Sequence, residues 1–172
     1  MPSSRASPTP DPGLHSQLMK ETMSLPPLPS SAITIGAHVD DWRAAVTAAG
    51  LALERSGATT AEYTARMISV ITEFGAYIVI APGLALAHAR PGEDVLADGL
   101  SVVTLAEPVN FGHPNNDPVS VIVGLAVVSR DEHLAHVAEL ANVFNDAQVI
   151  PALAAATDAE TVRSLFGLKA SS

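Results

Sequence analysis

The sequence predicts an α/β protein, a single three-layer domain in which helices cover both faces of a mixed β-sheet. Three observations lead to this prediction. Amphipathic segments with helical spacing and short β-branched runs follow one another from residue 31 onward. The apolar runs at 100–105 and 119–128 lack polar alternation, which is typical of strands covered on both faces. The length of 172 residues is ordinary for one domain.

Composition excludes several classes of protein. The formal charge is −9, from 9 Lys and Arg against 18 Asp and Glu, which argues against nucleic-acid binding. No cysteine is present, so disulfide scaffolds, iron–sulfur sites and thiol catalysis are excluded. The apolar stretches are too short or too interrupted to span a bilayer, and the first residues do not have the pattern of a secretory signal. We therefore expect a cytoplasmic protein with no direct membrane insertion.

The chain divides at residue 30. Residues 1–30 are rich in Pro and Ser, bury little and lack many backbone donors, so we predict a flexible N-terminal segment or a short docked helix at 14–23. Residues 31–172 are predicted to form the folded domain.

The first half of the domain is predicted as strand, helix, helix. A short strand covers 32–36, and Asp40 or Asp41 caps a helix that Gly57 ends. Thr59 and Glu62 have the spacing of a capping box for a second helix, which ends at Gly75. The side chains that this second helix is expected to bury are Tyr63, Met67, Val70, Ile71 and Phe74.

The second half is predicted as three strands followed by three helices. A strand at 77–81 leads into a glycine-containing loop that carries His88, and strands at 100–105 and 119–128 follow. Capping boxes that begin at Ser129 and Thr157 open two helices, with a short helix capped by Asp146 between them. The spacing of the first of these helices predicts that it buries Leu134, Val137, Ala138, Ala141 and Phe144.

Two histidines are candidates for chemistry. His88 follows a buried strand, where layered α/β domains gather binding and catalytic residues, and Arg90 adds a positive charge two residues later. His133 falls in the first turn of a helix, where the helix dipole disfavours imidazolium and favours anions. The alternative is that both histidines only pack or face solvent.

A metal site is not expected. His133 and His136 are three residues apart, beside Asp131 and Glu132, but this spacing matches no strong zinc pattern. Phosphate-binding and dinucleotide-binding glycine motifs and the nucleophile elbow are also missing from the sequence. We therefore predict neither a metal nor a cofactor.

The ordered motifs of residues 31–167 resemble a known family. They are Glu73-Phe-Gly-Ala-Tyr77, Ala81-Pro-Gly-Leu-Ala-Leu-Ala-His-Ala-Arg-Pro91, Val109-Asn-Phe-Gly-His113, Asn116-Asp-Pro-Val119 and Asp131-Glu-His-Leu134. This set is similar to the IIA domains of the bacterial phosphoenolpyruvate:sugar phosphotransferase system (PTS), in the mannitol/fructose-type group and nearest its ascorbate-type subgroup. The resemblance implies the mannitol/fructose-type IIA fold and a phosphotransferase activity.

The resemblance also implies roles and partners. His88 would accept a phosphoryl group from the carrier HPr and pass it to a IIB component, with the membrane component IIC involved indirectly in uptake of ascorbate or a related sugar. His133 matches the second active-site histidine. The family's active-site arginine falls near Val70, so its role is not carried over, and Glu73 and Arg90 are the candidates for stabilising the phosphate.

One position departs from the family pattern. Ala87 stands where relatives usually have proline before the phosphorylated histidine, so we expect a less rigid backbone there rather than lost function. An apolar rim of Leu84, Leu86 and Ala87 is expected to exclude water and to dock partners.

Two other functions stay open. The alternatives are a regulatory IIA-like module that acts by protein binding, and a small-molecule or metal-binding domain that uses His88, His113 and His133. A homodimer is one option for the oligomeric state.

Overall fold

The computed structural model describes residues 25–168, in which five strands form one mixed sheet. The strands are β1 (Ile33–Ala37), β2 (Val79–Ala81), β3 (Leu84–His88), β4 (Gly99–Val109) and β5 (Val119–Ala126). Their order across the sheet is β1-β4-β5-β3-β2. The β1/β4 and β3/β5 pairs are parallel, and the β4/β5 and β2/β3 pairs are antiparallel. The predicted α/β class and mixed sheet are confirmed.

Five α-helices cover the two faces of this sheet in the described part of the chain. They are α1 (Trp42–Arg55), α2 (Ala61–Phe74), α3 (Arg130–Phe144), α4 (Val149–Ala155) and α5 (Ala159–Leu165). None of the helices within residues 25–168 is long and apolar enough to cross a membrane.

Alternation along the central strands builds two separate cores. In β5, Ile122 packs with the core under α1 and α2, whereas Val121 and Val123 pack with the core under α3, α4 and α5. Successive strand residues point to opposite faces, so a strand that is apolar throughout can supply both cores. The prediction of strands covered on both sides is therefore confirmed, and it places the sheet as the middle of three layers.

One strand was missed by the sequence analysis. Residues 84–88 were predicted as a loop, but they form β3, which pairs with β5 in parallel and with β2 in an antiparallel hairpin. The hairpin turns at Gly83, whose φ of 83° suits a residue without Cβ. The predicted strand at 77–81 is shorter than expected, because Ala76–Ile78 form a 3-10 turn.

Two of the predicted capping boxes are wrong. The N-cap of α2 is Thr60 rather than Thr59, and the hydroxyl oxygens of both threonines have no hydrogen-bond partner. The N-cap of α5 is Asp158, which accepts from the Thr161 N–H, rather than Thr157. At α3 the predicted cap is confirmed, since the Ser129 side chain accepts from the Glu132 N–H.

The predicted buried face of α2 is confirmed at Tyr63, Met67 and Ile71 and is wrong only at the end of the helix. Phe74 is 65 % exposed at the end of α2. α3 turns a different face to the core than predicted: its buried positions are His136, Leu140 and Phe144, whereas Leu134 is 68 % exposed. A helix with apolar residues on more than one face takes the rotation that its neighbours allow, which spacing alone does not determine.

The described residues before Ser31 pack against the domain. Leu28 is buried in the second core, and the Pro27 carbonyl accepts from the Leu100 N–H at the start of β4. At least these two residues of the predicted N-terminal segment 1–30 therefore lie on the fold. The predicted helix at 14–23 lies outside the described residues.

Candidate functional site

His88 is the last residue of β3, held in register with Leu125 of β5. The residues before it are buried, whereas the imidazole of His88 is only partly covered. Its Nδ1 lies 2.9 Å from the Leu86 carbonyl oxygen. Because a carbonyl oxygen only accepts, Nδ1 carries the hydrogen and the lone pair lies on Nε2. The strand therefore presents an oriented, neutral imidazole with one free nitrogen.

The side chain of His133 contacts the ring of His88 from the start of helix α3. It lies in the first turn of α3, and its ring centroid is 5.4 Å from that of His88, with 41° between the ring planes. Tyr77 adds a third ring, 6.2 Å from His88 and nearly perpendicular to it. The structure brings together the two histidines that the sequence analysis selected.

Burial keeps both imidazoles neutral. It lowers the pKa of His88, against a smaller opposing effect of its hydrogen bond to Leu86. It also lowers the pKa of His133, to which the neighbouring His88 and His136 contribute. An imidazole in a partly dry site loses hydration when charged, so the neutral form is favoured. Both rings are thus in the form that can act as a nucleophile or accept a proton.

The two histidines line a cavity of about 760 Å³ with three arginines around it. Its lining residues are Arg66, Val70, Glu73, Phe74, Tyr77, His88, Ala89, Arg90, Pro91, Arg130, His133 and Leu134. Both residues predicted to stabilise phosphate, Arg90 and Glu73, are among them. Of the three arginines Arg66 is paired with Asp94, so Arg90 and Arg130 set against Glu73 leave the cavity positive on a protein whose net charge is −9, and such a site attracts anions.

Arg66 was missed by the sequence analysis. It lies in α2 one turn before Val70, near which the family's arginine was expected, and it faces the cavity. Its guanidinium contacts both oxygens of the buried Asp94 carboxylate at 2.6 Å and donates to the Arg90 carbonyl at 2.7 Å. The sequence signal was its place on the helix before the His88 hairpin, but its partner Asp94 is 28 residues away.

Tyr63 was predicted only as a core residue and has a second task. Its hydroxyl accepts from the Ala89 N–H at 3.0 Å and lies 2.6 Å from the Leu125 carbonyl oxygen, to which it donates. Burial raises the pKa of Tyr63 to about 12, so the hydroxyl keeps its proton. Ala89 follows His88 in the chain, and Leu125 is the partner of His88 in the neighbouring strand. Tyr63 therefore holds the backbone on two sides of His88 by hydrogen bonds.

The predicted apolar rim is wrong. Leu84, Leu86 and Ala87 lie inside β3 and are buried, because that strand is covered on both faces. The exposed apolar side chains of the cavity lining are instead Phe74, Tyr77 and Leu134. Ala87 lies in register with Gly124, so a β-ladder rather than a proline ring constrains this backbone.

His113 lies away from the two site histidines. Its Nδ1 accepts from the N–H groups of Asn115 and Asn116 within a turn, and His113 does not line the cavity. Among the described residues, His88, His113 and His133 do not form a cluster with metal-ligand spacing. The alternative in which these three are ligands of one ion is therefore wrong.

Comparisons with known proteins agree with this geometry. The family model described as "Phosphoenolpyruvate-dependent sugar phosphotransferase system, EIIA 2" matches residues 27–167. The ascorbate-specific PTS system EIIA component of Salmonella choleraesuis is 33% identical over 138 residues, which are 80% of this chain and 90% of that protein. A PTS IIA domain from Streptococcus pyogenes has a TM-score of 0.73 and 28% identity, covering 80% of this chain and 89% of its own. The IIA protein PtxA of Streptococcus mutans has a TM-score of 0.72 and 31% identity, covering 88% and 92%.

Proposed function

We propose, since this chain belongs to the EIIA 2 family of the phosphoenolpyruvate-dependent sugar phosphotransferase system, that Nε2 of His88 carries the phosphoryl group of a histidine phosphocarrier. The group arrives from phosphorylated HPr and leaves for a IIB component. The observation that carries this proposal is the pairing of a neutral His88, its Nε2 unprotonated, with His133 inside a cavity lined by arginines.

The transfer needs positioning and charge stabilisation rather than an added cofactor. The Nε2 lone pair of His88 forms the new N–P bond, while the N–P bond of the donor imidazole breaks and leaves its electron pair on the donor nitrogen. The Nδ1 hydrogen stays on the ring, where the Leu86 carbonyl accepts it. Phosphorylation makes this N–H more acidic, so that hydrogen bond strengthens as the charge develops.

The arginines that line the cavity stabilise the negative charge on the equatorial oxygens of the phosphoryl group during transfer. Arg90 and Arg130 are exposed at the cavity, whereas Arg66 is partly neutralised by Asp94. We assign the oxygens to Arg90, Arg130 and the neutral His133 ring, which donates one hydrogen bond. Glu73 lines the same cavity, where a carboxylate would repel the phosphoryl oxygens, so we assign it no contact with the phosphate.

Partner docking follows from the exposed apolar side chains of the lining. Phe74, Tyr77 and Leu134 surround the histidine pair and are 65 %, 51 % and 68 % exposed. Covering such side chains with a partner domain removes apolar area from water and excludes water from the phosphoramidate bond. HPr and IIB would use this surface in turn.

The substrate class is drawn from the relatives. The matched EIIA components of Salmonella choleraesuis and Escherichia coli are ascorbate-specific, at 33% and 32% identity. We therefore assign this chain to uptake of ascorbate or a related sugar acid. Selection of the sugar itself lies with the membrane component.

The test is intact mass after incubation with phosphoenolpyruvate, enzyme I and HPr. We expect one acid-labile phosphoryl group on the wild type and none on His88→Ala. His133→Ala is expected to gain the group more slowly and to bind HPr normally. His113→Ala is the matched control, a histidine outside the cavity, and should behave like the wild type.

Two outcomes would contradict the proposal. Phosphorylation of His88→Ala to the wild-type extent would show that another residue carries the group. A wild type that accepts the group but passes it to no IIB component would favour the regulatory alternative, in which the phosphorylated domain acts by binding another protein.

A further inference from the structure

A second cluster of ligating side chains lies beside the phosphoryl site and has no part in the proposed transfer. It consists of Asp98, in the segment before β4, with Glu132 and His136 of α3. Their ligand atoms all lie within 4.8 Å of one another. Nothing in the transfer described above uses these three residues.

The buried member of this cluster lacks hydrogen bonds. His136 is 6% exposed, and its Nδ1 is buried without a partner among the described residues. Its Nε2 points to Asp98, with 3.8 Å to the carboxylate oxygen Oδ2, which is beyond hydrogen-bond reach. Nε2, the nitrogen that faces the two carboxylates, therefore makes no hydrogen bond to Asp98 and is open to a further ligand, while Nδ1 stays without a partner on the buried side of the ring.

The three side chains are arranged as a ligand set. Glu132 and His136 are four residues apart on α3, which places both on one face of the helix. The other oxygen of Asp98, Oδ1, accepts from the Val128 N–H at 2.8 Å. That bond orients the carboxylate and leaves Oδ2 free, as backbone groups commonly orient carboxylate ligands.

We propose that Asp98, Glu132 and His136 bind a divalent transition-metal cation of the Zn²⁺ type. One imidazole nitrogen and two carboxylate oxygens suit such an ion, and two negative charges match its own. The 3.8 Å between Nε2 and Oδ2 fits two ligands that each lie about 2.0–2.2 Å from one ion. Glu132 is exposed, so solvent reaches the open side of the set and water completes the coordination.

This arrangement differs from the pairing that sequence spacing suggested. His133 turns toward His88 rather than toward His136's cluster, and Glu132 takes the place of the second ligand on the helix. A cation there links the first turn of α3, which carries His133, to the segment before β4. It would therefore hold the second active-site histidine in place without touching the phosphoryl group.

Isothermal titration of the full chain with Zn²⁺, in a buffer without phosphate or chelators, tests the site. We expect one ion per chain and a rise in the thermal midpoint on binding. Asp98→Asn, Glu132→Gln and His136→Gln are each expected to weaken the affinity by at least about tenfold. Asp131→Asn, an exposed carboxylate on the same turn outside the cluster, is the matched control and should bind as the wild type does.

The same titration separates this site from the active-site pair. If His88→Ala or His133→Gln abolishes binding while Asp98→Asn and Glu132→Gln do not, the ion sits between His88 and His133 and the proposal is overturned. A wild type that binds no Zn²⁺ would also overturn it, leaving His136 and Asp98 as an ion pair at most. Asp98 and Glu132 are not buried, so their variants keep the test valid even where His136→Gln folds poorly.

Discussion

The structure brings together two imidazoles, those of His88 and His133, in surroundings that are partly shielded from water. His88 and His133 have lowered pKa values with burial as the main cause, and His88 is further oriented by its own strand through the Leu86 carbonyl. An ordinary histidine, with a pKa of about 6.5, would already be partly charged in slightly acidic solution. Here burial in the fold favours the neutral form of both rings, which is the form that the proposed transfer needs.

The rate of phosphoryl acceptance should therefore hold up below pH 6.5. The neutral ring is the reactive form, and the lowered pKa of His88 extends that form below its ordinary value of 6.5. NMR titration of the His88 ring protons and the pH profile of phosphorylation should share a midpoint below 6.5. In His133→Gln the His88 midpoint should stay below 6.5, because burial is the main cause. A midpoint above 6.5 would contradict this account.

The free energy of unfolding should depend on pH through His88 and His133. The unfolded chain takes up protons on these histidines near pH 6.5, whereas the folded chain does so only at lower pH. The free energy of unfolding therefore falls as pH is lowered through 6.5 toward the folded pKa values. Urea denaturation at several pH values should show a shallower fall for His88→Gln.

Tyr63 acts at the same scale by holding the backbone beside His88. Tyr63→Phe removes the hydroxyl that bonds Ala89 and Leu125, and leaves a buried N–H and C=O unpaired. We expect a loss of about 1–3 kcal/mol in the free energy of unfolding and a slower phosphorylation of His88. Tyr77→Phe, which removes an exposed hydroxyl from the same cavity, is the control and should lower neither by as much. Equal stabilities in denaturation curves of the two variants would contradict this assignment.

At the scale of elements, position in the sheet decides what each segment does. The hairpin of β2 and β3 places His88 at a strand end, and the first turn of α3 places His133 opposite it. Two elements that are far apart in sequence thus share one site. Helix caps determine where α1 and α3 begin, and so which residues their first turns present.

The cap of α1 distinguishes two neighbouring carboxylates. Asp41, and not Asp40, accepts from the Ala44 N–H at 2.8 Å. Asp41→Ala should lower the free energy of unfolding by about 1 kcal/mol, since an orphan amide loses its partner. Asp40→Ala should change it by less than about 0.5 kcal/mol. Thermal and urea denaturation of the pair provide the measurement, and equal effects would show that the cap is shared.

At the scale of the molecule, the sheet and helix α1 pack so closely at Gly124 that the distance between these two layers depends on this residue. Gly124 of β5 lies under α1, where an added Cβ would be 2.3 Å from the Ser101 hydroxyl oxygen and 3.3 Å from Leu53. Such a distance is shorter than a real Cβ contact, so the layer spacing depends on a residue without a side chain. Gly124 also lies in register with Ala87, next to His88.

Gly124→Ala should therefore destabilise the whole domain. We expect a loss of about 1–3 kcal/mol from overpacking, measured by urea denaturation. In the double variant Ser101→Ala/Gly124→Ala the hydroxyl that clashes is gone, so the combined loss should be smaller than the sum of the single losses. Strict additivity would contradict the clash.

Much of the site could be predicted before the fold was known. His88 and His133 were selected from a strand end, a helix start and family motifs, and the structure places their rings 5.4 Å apart. The covered strands and the helices from 42 and 130 were predicted from spacing. The caps predicted at Thr59 and Thr157 were wrong, although the one at Ser129 was confirmed. At α5 the neighbouring Asp158 meets the amide instead, and at α2 neither threonine hydroxyl does, because the exact start of a helix depends on packing that a four-residue pattern does not contain.

Local pattern by itself determined the class of the protein, its main helices and the central strands covered on both faces, and it singled out His88 and His133 as candidates to which the family resemblance gave roles. Only the tertiary structure decided that residues 84–88 are a strand, that Arg66 and Tyr63 support the site, and that Asp98 meets His136. The physical reason is reach along the chain. Tyr63 bonds residues 26 and 62 positions away, and a strand as short as β3 is stabilised by its partners rather than by its own propensity.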